Sequence, residues 1–354
     1  MITISLCMIV KNEEAVLARC LDSIKDVADE IIIVDTGSAD QTKAIAGKYT
    51  DKIFDFEWVD DFSTARNYAF SKATMDYQMW LDADDVVPIE SVEKLLELKE
   101  TLDKNVDMVT MKYLTHFDEG GNPIFISTRE RLTKREKEYK WHDPVHECIP
   151  LAGEIFYSDI EIHHRKTKQE GVSYRNLNIY TELEKQNHAF TPRQQYYFAR
   201  ELKDHKMWEK AAKYFELFLN GDGGWVEDNI AACYSLAICY SMLQCNEKVL
   251  PAFLKSFEYD APRSEICCEI GYYYKGQKNY TTALKWFRTA TACANPDSIG
   301  FILKDYHGYI PNIESCVCAY QLGENEAAKQ FNENAALYKQ TEEVEANRKF
   351  FENL

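Results

Sequence analysis

Between residues 199 and 331 one pattern recurs four times. A small residue (Ala199, Ala237, Gly271, Ser315) is followed twelve positions later by a second small or apolar one (Ala211, Val249, Ala283, Ala327), and four after that by a phenylalanine (Phe215, Phe253, Phe287, Phe331). Successive units are 38, 34 and 44 residues apart. A period of this size is one supersecondary unit, too small to bury its own apolar face and obliged to stack on its neighbours. The pattern predicts antiparallel helix pairs that cross through the small residues, with turns at Gln277-Lys278-Asn279-Tyr280 and Leu322-Gly323-Glu324-Asn325. Two departures stand out: Val249 replaces the usual small residue, and the longest spacing takes in an insertion with Gly300, Gly308 and Pro311.

The chain ahead of the repeats follows a different rule. Apolar runs at Ile2 to Val10, Ile31 to Val34, Lys52 to Phe56 and Tyr77 to Leu81 read as strands. Helical stretches lie between them: one carrying Val16, Leu17, Cys20, Leu21 and Ile24, one over Thr42 to Lys48 and one over Ser63 to Ala73. This alternation predicts an α/β, doubly wound sheet whose ligands bind at the carboxyl ends of its strands. The polar clusters all fall at those ends. Segments at Met108 to His116, Ile124 to Arg129 and Glu154 to Ile162 are β-prone and are expected to complete the sheet and the acceptor side of a cleft. Two domains are expected, 1–168 and 169–354, the second all helical.

A formal net charge of −17 and the lack of a Lys/Arg block argue against a nucleic-acid or anionic membrane surface. No segment approaches a membrane span, and Met1 to Val10 lacks the features of a signal peptide, so the chain is expected to be cytoplasmic. Eleven cysteines, an odd number without matched Cys-x-x-Cys pairs, read as buried free thiols.

The apolar run Met79-Trp80-Leu81 passes directly into Asp82-Ala83-Asp84-Asp85. A buried strand rarely ends in three carboxylates without a cation to relieve their repulsion. Asp82 and Asp84, two apart beyond the strand, can aim one carboxylate at a ribose or sugar and the other at Mn²⁺ or Mg²⁺, both oxygen-seeking cations.

In order and spacing, Cys7-Met8-Ile9-Val10-Lys11-Asn12-Glu13-Glu14, Ile33-Val34-Asp35-Thr36-Gly37-Ser38-Ala39-Asp40, Ala65-Arg66-Asn67 and Leu81-Asp82-Ala83-Asp84-Asp85 resemble the inverting glycosyltransferases of family 2, which have the GT-A fold. The resemblance covers roughly residues 1–165. It implies that Lys11, Asn12, Glu13 and Asp35 hold the nucleoside, with Thr36 shaping the pocket. Asp40 is either part of that pocket or a helix cap. Arg66 reads as a diphosphate ligand at a helix start, or as a surface salt bridge. In Trp141-His142-Asp143-Pro144-Val145-His146-Glu147, the acceptor-side segment of such enzymes, Glu147 is the expected base, with His146 and Asp143 behind it. Of the pair His163-His164, the resemblance implies His164 as the metal ligand beside Asp84, with His163 pointing to the opposite face if the strand continues.

The helical part resembles tetratricopeptide repeats. Transferases of this combined architecture resemble those that glycosylate peptides, including bacteriocin-modifying enzymes. The expected partners are therefore a nucleoside-diphosphate sugar, UDP-linked by preference, and a peptide, protein or glycan acceptor, with a homodimer possible through the helices. A non-catalytic scaffold and a nucleotidyltransferase are the rivals. The intact acidic and arginine residues oppose the first, and the absence of glycine from Val10-Lys11-Asn12-Glu13-Glu14 opposes the second.

Overall fold

A computed structural model describes residues 1–117, 121, 123–166, 173–221, 223–293 and 304–354. Residues 168–170, around the expected domain boundary, and Gly300 of the expected insertion lie outside the described residues. The chain forms two compact units, one comprising Met1–His188 and the other taking in the described residues from Ala189 onward.

The first unit runs β1 (Ile4–Val10), α1 (Leu17–Ile24), β2 (Glu30–Asp35), α2 (Thr42–Ala46), β3 (Ile53–Asp55), α3 (Phe62–Phe70), β4 (Tyr77–Trp80), β5 (Asp85–Val86), α4 (Ile89–Thr101), β6 (Met108–Phe117), β7 (Pro123–Lys134), β8 (Ile155–His164) and α5 (Arg175–Lys185). Its sheet has the order β3-β2-β1-β4-β7-β6-β8-β5. The first four strands are parallel, β7 runs antiparallel to both β4 and β6, and β8 is parallel to β6. This is the doubly wound sheet that the alternation predicts, and a mixed one of the GT-A-like kind that the resemblance implies. Two elements were not expected. β5 is too short to carry a pattern, and α4 follows Pro88 with a stripe of Val92, Leu95 and Leu98 that a periodicity search would find.

The period of two along β1 builds the layers. Ile4, Leu6, Met8 and Val10 join Leu17, Leu21 and Ile24 of α1 and Leu95 and Leu98 of α4 in one core. Cys7 joins Ala69 and Phe70 of α3 on the other face, with Trp80 and Trp141. Each such fully buried aliphatic side chain stabilises the fold by about 1.5–3 kcal/mol. Parallel register pairs Val10 with Asp35 and Cys7 with Trp80, so the loops after β1, β2 and β4 emerge at the same sheet edge.

The opposite edge holds a buried carboxylate. Glu30, paired in register with Ser5, accepts hydrogen bonds from Ser5 Oγ, Lys52 Nζ and the Thr74 amide and hydroxyl. Burial alone would raise its pKa, but these donors overcome that and hold it at about 2.

The second unit contains α6 (Pro192–Asp204), α7 (Trp208–Leu219), α8 (Val226–Met242), α9 (Asn246–Lys255), α10 (Ser264–Gly276), α11 (Tyr280–Ala292), α12 (Tyr309–Gln321), α13 (Asn325–Ala336) and α14 (Glu342–Glu352). The four phased patterns fall one to each pair α6/α7, α8/α9, α10/α11 and α12/α13, and each pair packs together. The second unit is thus tetratricopeptide-like. Ala199, Ala211, Phe215, Ala237, Ala283, Phe287 and Ser315 are all fully buried. The turn inside each pair passes through a left-handed residue, at Lys206, Gln244, Lys278 and Gly323. Gly271 has to be glycine for a different reason: a Cβ there would lie 2.7–2.9 Å from three carbons of the Phe287 ring. All eleven cysteines are free, and eight are buried.

Two stability measurements follow. Because the folded pKa of Glu30 is depressed, its contribution is complete above the unfolded value near 4.5 and is lost as pH falls toward about 2. Glu30→Gln should cost roughly 1–3 kcal/mol at neutral pH in urea unfolding, with the gap to the parent protein closing across that acidic window. Gly271→Val should destabilise the second unit by about 1–3 kcal/mol through overpacking against Phe287, read as a lower unfolding midpoint.

Candidate active site

β2 ends in Asp35, which is 2% exposed. Its Oδ2 accepts from the amides of Gly37 (3.1 Å) and Ser38 (2.9 Å), closing a tight turn in which Gly37 takes φ +100°. Its Oδ1 is buried without a hydrogen-bond partner. The loop after β1 is laced onto this turn. Asn12, itself left-handed, donates its amide to Ser38 Oγ and accepts from the Ala39 amide on Oδ1, and the Glu13 amide donates to Thr42 Oγ1. Asp40 accepts from the Thr42 and Glu14 amides, one residue ahead of Gln41, which occupies the N-cap position of α2. Lys11 is exposed at the start of the loop.

Arg66 is not a surface residue. It lies on α3 at 7% exposure, its guanidinium 4.9 Å from the Trp80 ring and 4.8 Å from the Trp141 ring. Nη2 donates to Asp82 Oδ1 at 2.7 Å and Nε to Glu147 Oε1 at 2.6 Å, while Nη1 is buried without a partner. Burial pushes the Asp82 carboxyl up, but the charges of Arg66 and Arg131 outweigh it and leave the pKa at about 2.

The segment carrying Glu147 is pinned at several points. His142 and Cys148 exchange backbone hydrogen bonds, closing a loop in which Asp143 and His146 are left-handed. The side-chain amide of Asn67, next to Arg66, both donates to Trp141 O (3.0 Å) and accepts from Trp141 N (2.9 Å). The Phe62 amide holds Pro144 O, and the Tyr180 hydroxyl of α5 holds Val145 O.

β5 pairs Asp85 with His164 on β8, and this brings Asp84 Oδ1 to 3.2 Å from His164 Nδ1. Asp84, Asp85 and His164 offer ligand atoms within 4.8 Å of one another. His163 lies elsewhere, with Glu161 at 3.2 Å and its ring against Phe117. Although burial lowers the His164 pKa, hydrogen bonds and charge from Asp84 and Asp85 raise it to about 9. Glu13 is raised to about 7 by burial first, then by the charges of Asp84, Asp82 and Asp40, against which Arg175 acts. Glu13, Asp82 and Asp84 therefore share one zone of negative potential. Carboxylate oxygens plus an imidazole nitrogen in such a zone fit a Mn²⁺- or Mg²⁺-sized cation.

Asp82, Arg66 and Glu147 are thus brought together, as are Asp84 and His164, with Glu13 beside the carboxylates. Three participants were missed by sequence reasoning: Asp85 as an inward anchor, Arg131 and Tyr113. The available signal was Arg129-Glu130-Arg131-Leu132, charges that begin where the expected segment Ile124 to Arg129 ends and that β7 carries on through, where an arginine is buried only with a partner.

Residues 5–157 match the family model described as Glycosyl transferase family 2. The SPbeta prophage-derived glycosyltransferase SunS of Bacillus subtilis (strain 168) is 27% identical over 290 residues, which cover 77% of this chain and 65% of that protein. A TPR repeat-containing protein of Synechococcus elongatus is 38% identical over 149 residues, 42% of this chain and 36% of that one. The chain spans less than two thirds of the length of either relative. Among solved structures, S. aureus TarS 1-349 aligns at 14% identity with a TM-score of 0.36, covering 67% of this chain and 80% of that one.

The reciprocal Asn67 contacts can be tested directly. Asn67→Ala should cost about 1–3 kcal/mol, the penalty for stranding two backbone groups of the Trp141 loop. Limited proteolysis should show faster cleavage between residues 141 and 148.

Proposed function

We propose that residues 5–157, which match the family model described as Glycosyl transferase family 2, form a domain that moves a sugar, with inversion, from a nucleoside-diphosphate sugar, UDP-linked by preference, to a peptide, protein or glycan acceptor. The observation that carries this reading is Arg66: one buried guanidinium tied to Asp82 and to Glu147, with a third nitrogen, Nη1, left unpaired. A buried polar atom without a partner is costly unless a ligand supplies one, and a phosphate oxygen is a suitable acceptor for it.

In this reading Asp35 uses its unpartnered Oδ1 to accept an N–H from the base. Lys11, Asn12 and Glu13 form the loop over the nucleoside, and Asp82 faces the ribose or sugar. Asp84 and His164 would hold Mn²⁺ or Mg²⁺, whose charge would neutralise the departing diphosphate. Glu147 takes the acceptor proton. Arg66 holds Oε1 and so aims Oε2, while His146 and the closed loop shape the acceptor side. The peptide-class acceptor rests on the resemblance to peptide-modifying transferases and on the helix-pair unit, a type of scaffold that presents extended binding surfaces.

A donor screen with Mn²⁺, monitoring UDP or GDP release without acceptor, tests the proposal. One donor should be hydrolysed. Asp84→Ala should slow release about 100-fold, and Arg66→Lys, which cannot bridge two carboxylates in one plane, should do the same. No Mn²⁺-dependent donor binding by calorimetry in the wild-type protein would refute it.

A further inference from the structure

Arg131 on β7 is fully buried. Its Nη1 donates to Asp85 Oδ2 at 3.1 Å and to Trp80 O at 3.2 Å. Its guanidinium carbon stands 3.7 Å from the Trp80 ring centroid and 4.4 Å from that of Tyr113, and Nε and Nη2 have no hydrogen-bond partner. As a stabilising device this is a poor choice. A buried ion pair roughly breaks even against apolar side chains of the same volume, and two unpartnered nitrogens weaken it further.

What the pair does is fix geometry. Asp85, also fully buried, accepts the Asp82 amide on Oδ2 at 3.1 Å and the Tyr113 hydroxyl on Oδ1 at 2.8 Å. The Tyr113 oxygen is in turn 2.9 Å from His164 Nδ1. His164 Nδ1 also stands 3.2 Å from Asp84 Oδ1 and 3.4 Å from Asp85 Oδ1, so it is the ring nitrogen that faces the carboxylates. The chain from Arg131 through Asp85 and Tyr113 therefore sets where the His164 ring stands, while Asp85 is drawn inward and Asp84 is left to face the site.

We propose that Arg131 and Tyr113 are positioning residues for the cation site, holding Asp85 inward and, through the Tyr113 hydroxyl, setting the His164 ring beside Asp84 for a divalent cation. This rests on the cation-dependent reading above. Partners of this kind around a metal-binding histidine commonly govern affinity by about 10–100-fold.

The test is direct Mn²⁺ binding, with no donor present, read from the electron paramagnetic resonance signal of the free ion, with Tm recorded for every variant. Tyr113→Phe removes only the relaying hydroxyl. Arg131→Met strands the Asp85 charge and will lower Tm, so the double variant Arg131→Met/Asp85→Asn, which removes both charges, is measured beside it. The expected result is a Mn²⁺ Kd raised about 10–100-fold in Tyr113→Phe and in the double variant, with the Tm of the double variant above that of Arg131→Met. A Kd within twofold of wild type in either Tyr113→Phe or the double variant overturns this inference alone. Absence of saturable Mn²⁺ binding by the wild-type protein overturns the cation-dependent reading, and this inference with it.

Discussion

Arg66 is where the parts of the first unit meet. It leaves α3, lies against the touching rings of Trp80 of β4 and Trp141 of the loop, and ends on two carboxylates that come from different places: Asp82 just past β4, and Glu147 eighty-one residues further along the chain from Arg66. A guanidinium suits this post because its donors lie in one rigid plane and its charge persists when buried. The two carboxylates raise its proton affinity further, against the opposing effect of burial. The donor-side aspartate and the acceptor-side glutamate are consequently held at a fixed separation by one side chain. If Arg66 were lost, Asp82 and Glu147 would both lose their ion-pair partner.

How much of this could be read in the sequence depends on the range of the interaction. The β1, β2 and β4 strands, and the polar clusters at their carboxyl ends, were legible because period and composition are local. The four helix pairs were legible because phase repeats; even the residues flanking the turns at Lys278 and Gly323 were placed. Partners were not. Nothing near Asp85 in the chain announces Arg131, forty-six residues on, or that the third carboxylate of the acidic run would turn inward while Asp84 turned out. Arg66 was named, but its double ion pair was not, and the surface alternative considered for it fails because Trp80 and Trp141 enclose it. α4 was overlooked although its stripe is local.

The two units reach order by different physics. In the first, a sheet buried on both faces fixes the chain, and the site occupies the irregular loops at one edge. In the second, near-identical helix pairs each bring one tight approach and one ring. Gly271 against Phe287 shows how little room that approach leaves, with the missing Cβ of one residue making space for the ring of another. The left-handed residue in every turn shows the same economy, since three of the four positions hold a residue with a side chain. Such residues adopt that conformation at a cost of order 1 kcal/mol, met by the packing of the pair.

The free cysteines give the second unit a property unrelated to catalysis. Cys233 and Cys239 lie on α8, Cys267 and Cys268 on α10, and Cys316 and Cys318 on α12, all buried. Burial raises the thiols of Cys233 and Cys316 to about 12 and those of Cys239 and Cys318 to about 11, so they remain protonated and shielded while their helices are packed. A thiol reagent can reach them only when a helix pair opens. The repeats thus carry a native set of probes, two on the first helix of each of three successive pairs. The order in which they are alkylated would record the order in which neighbouring pairs come apart.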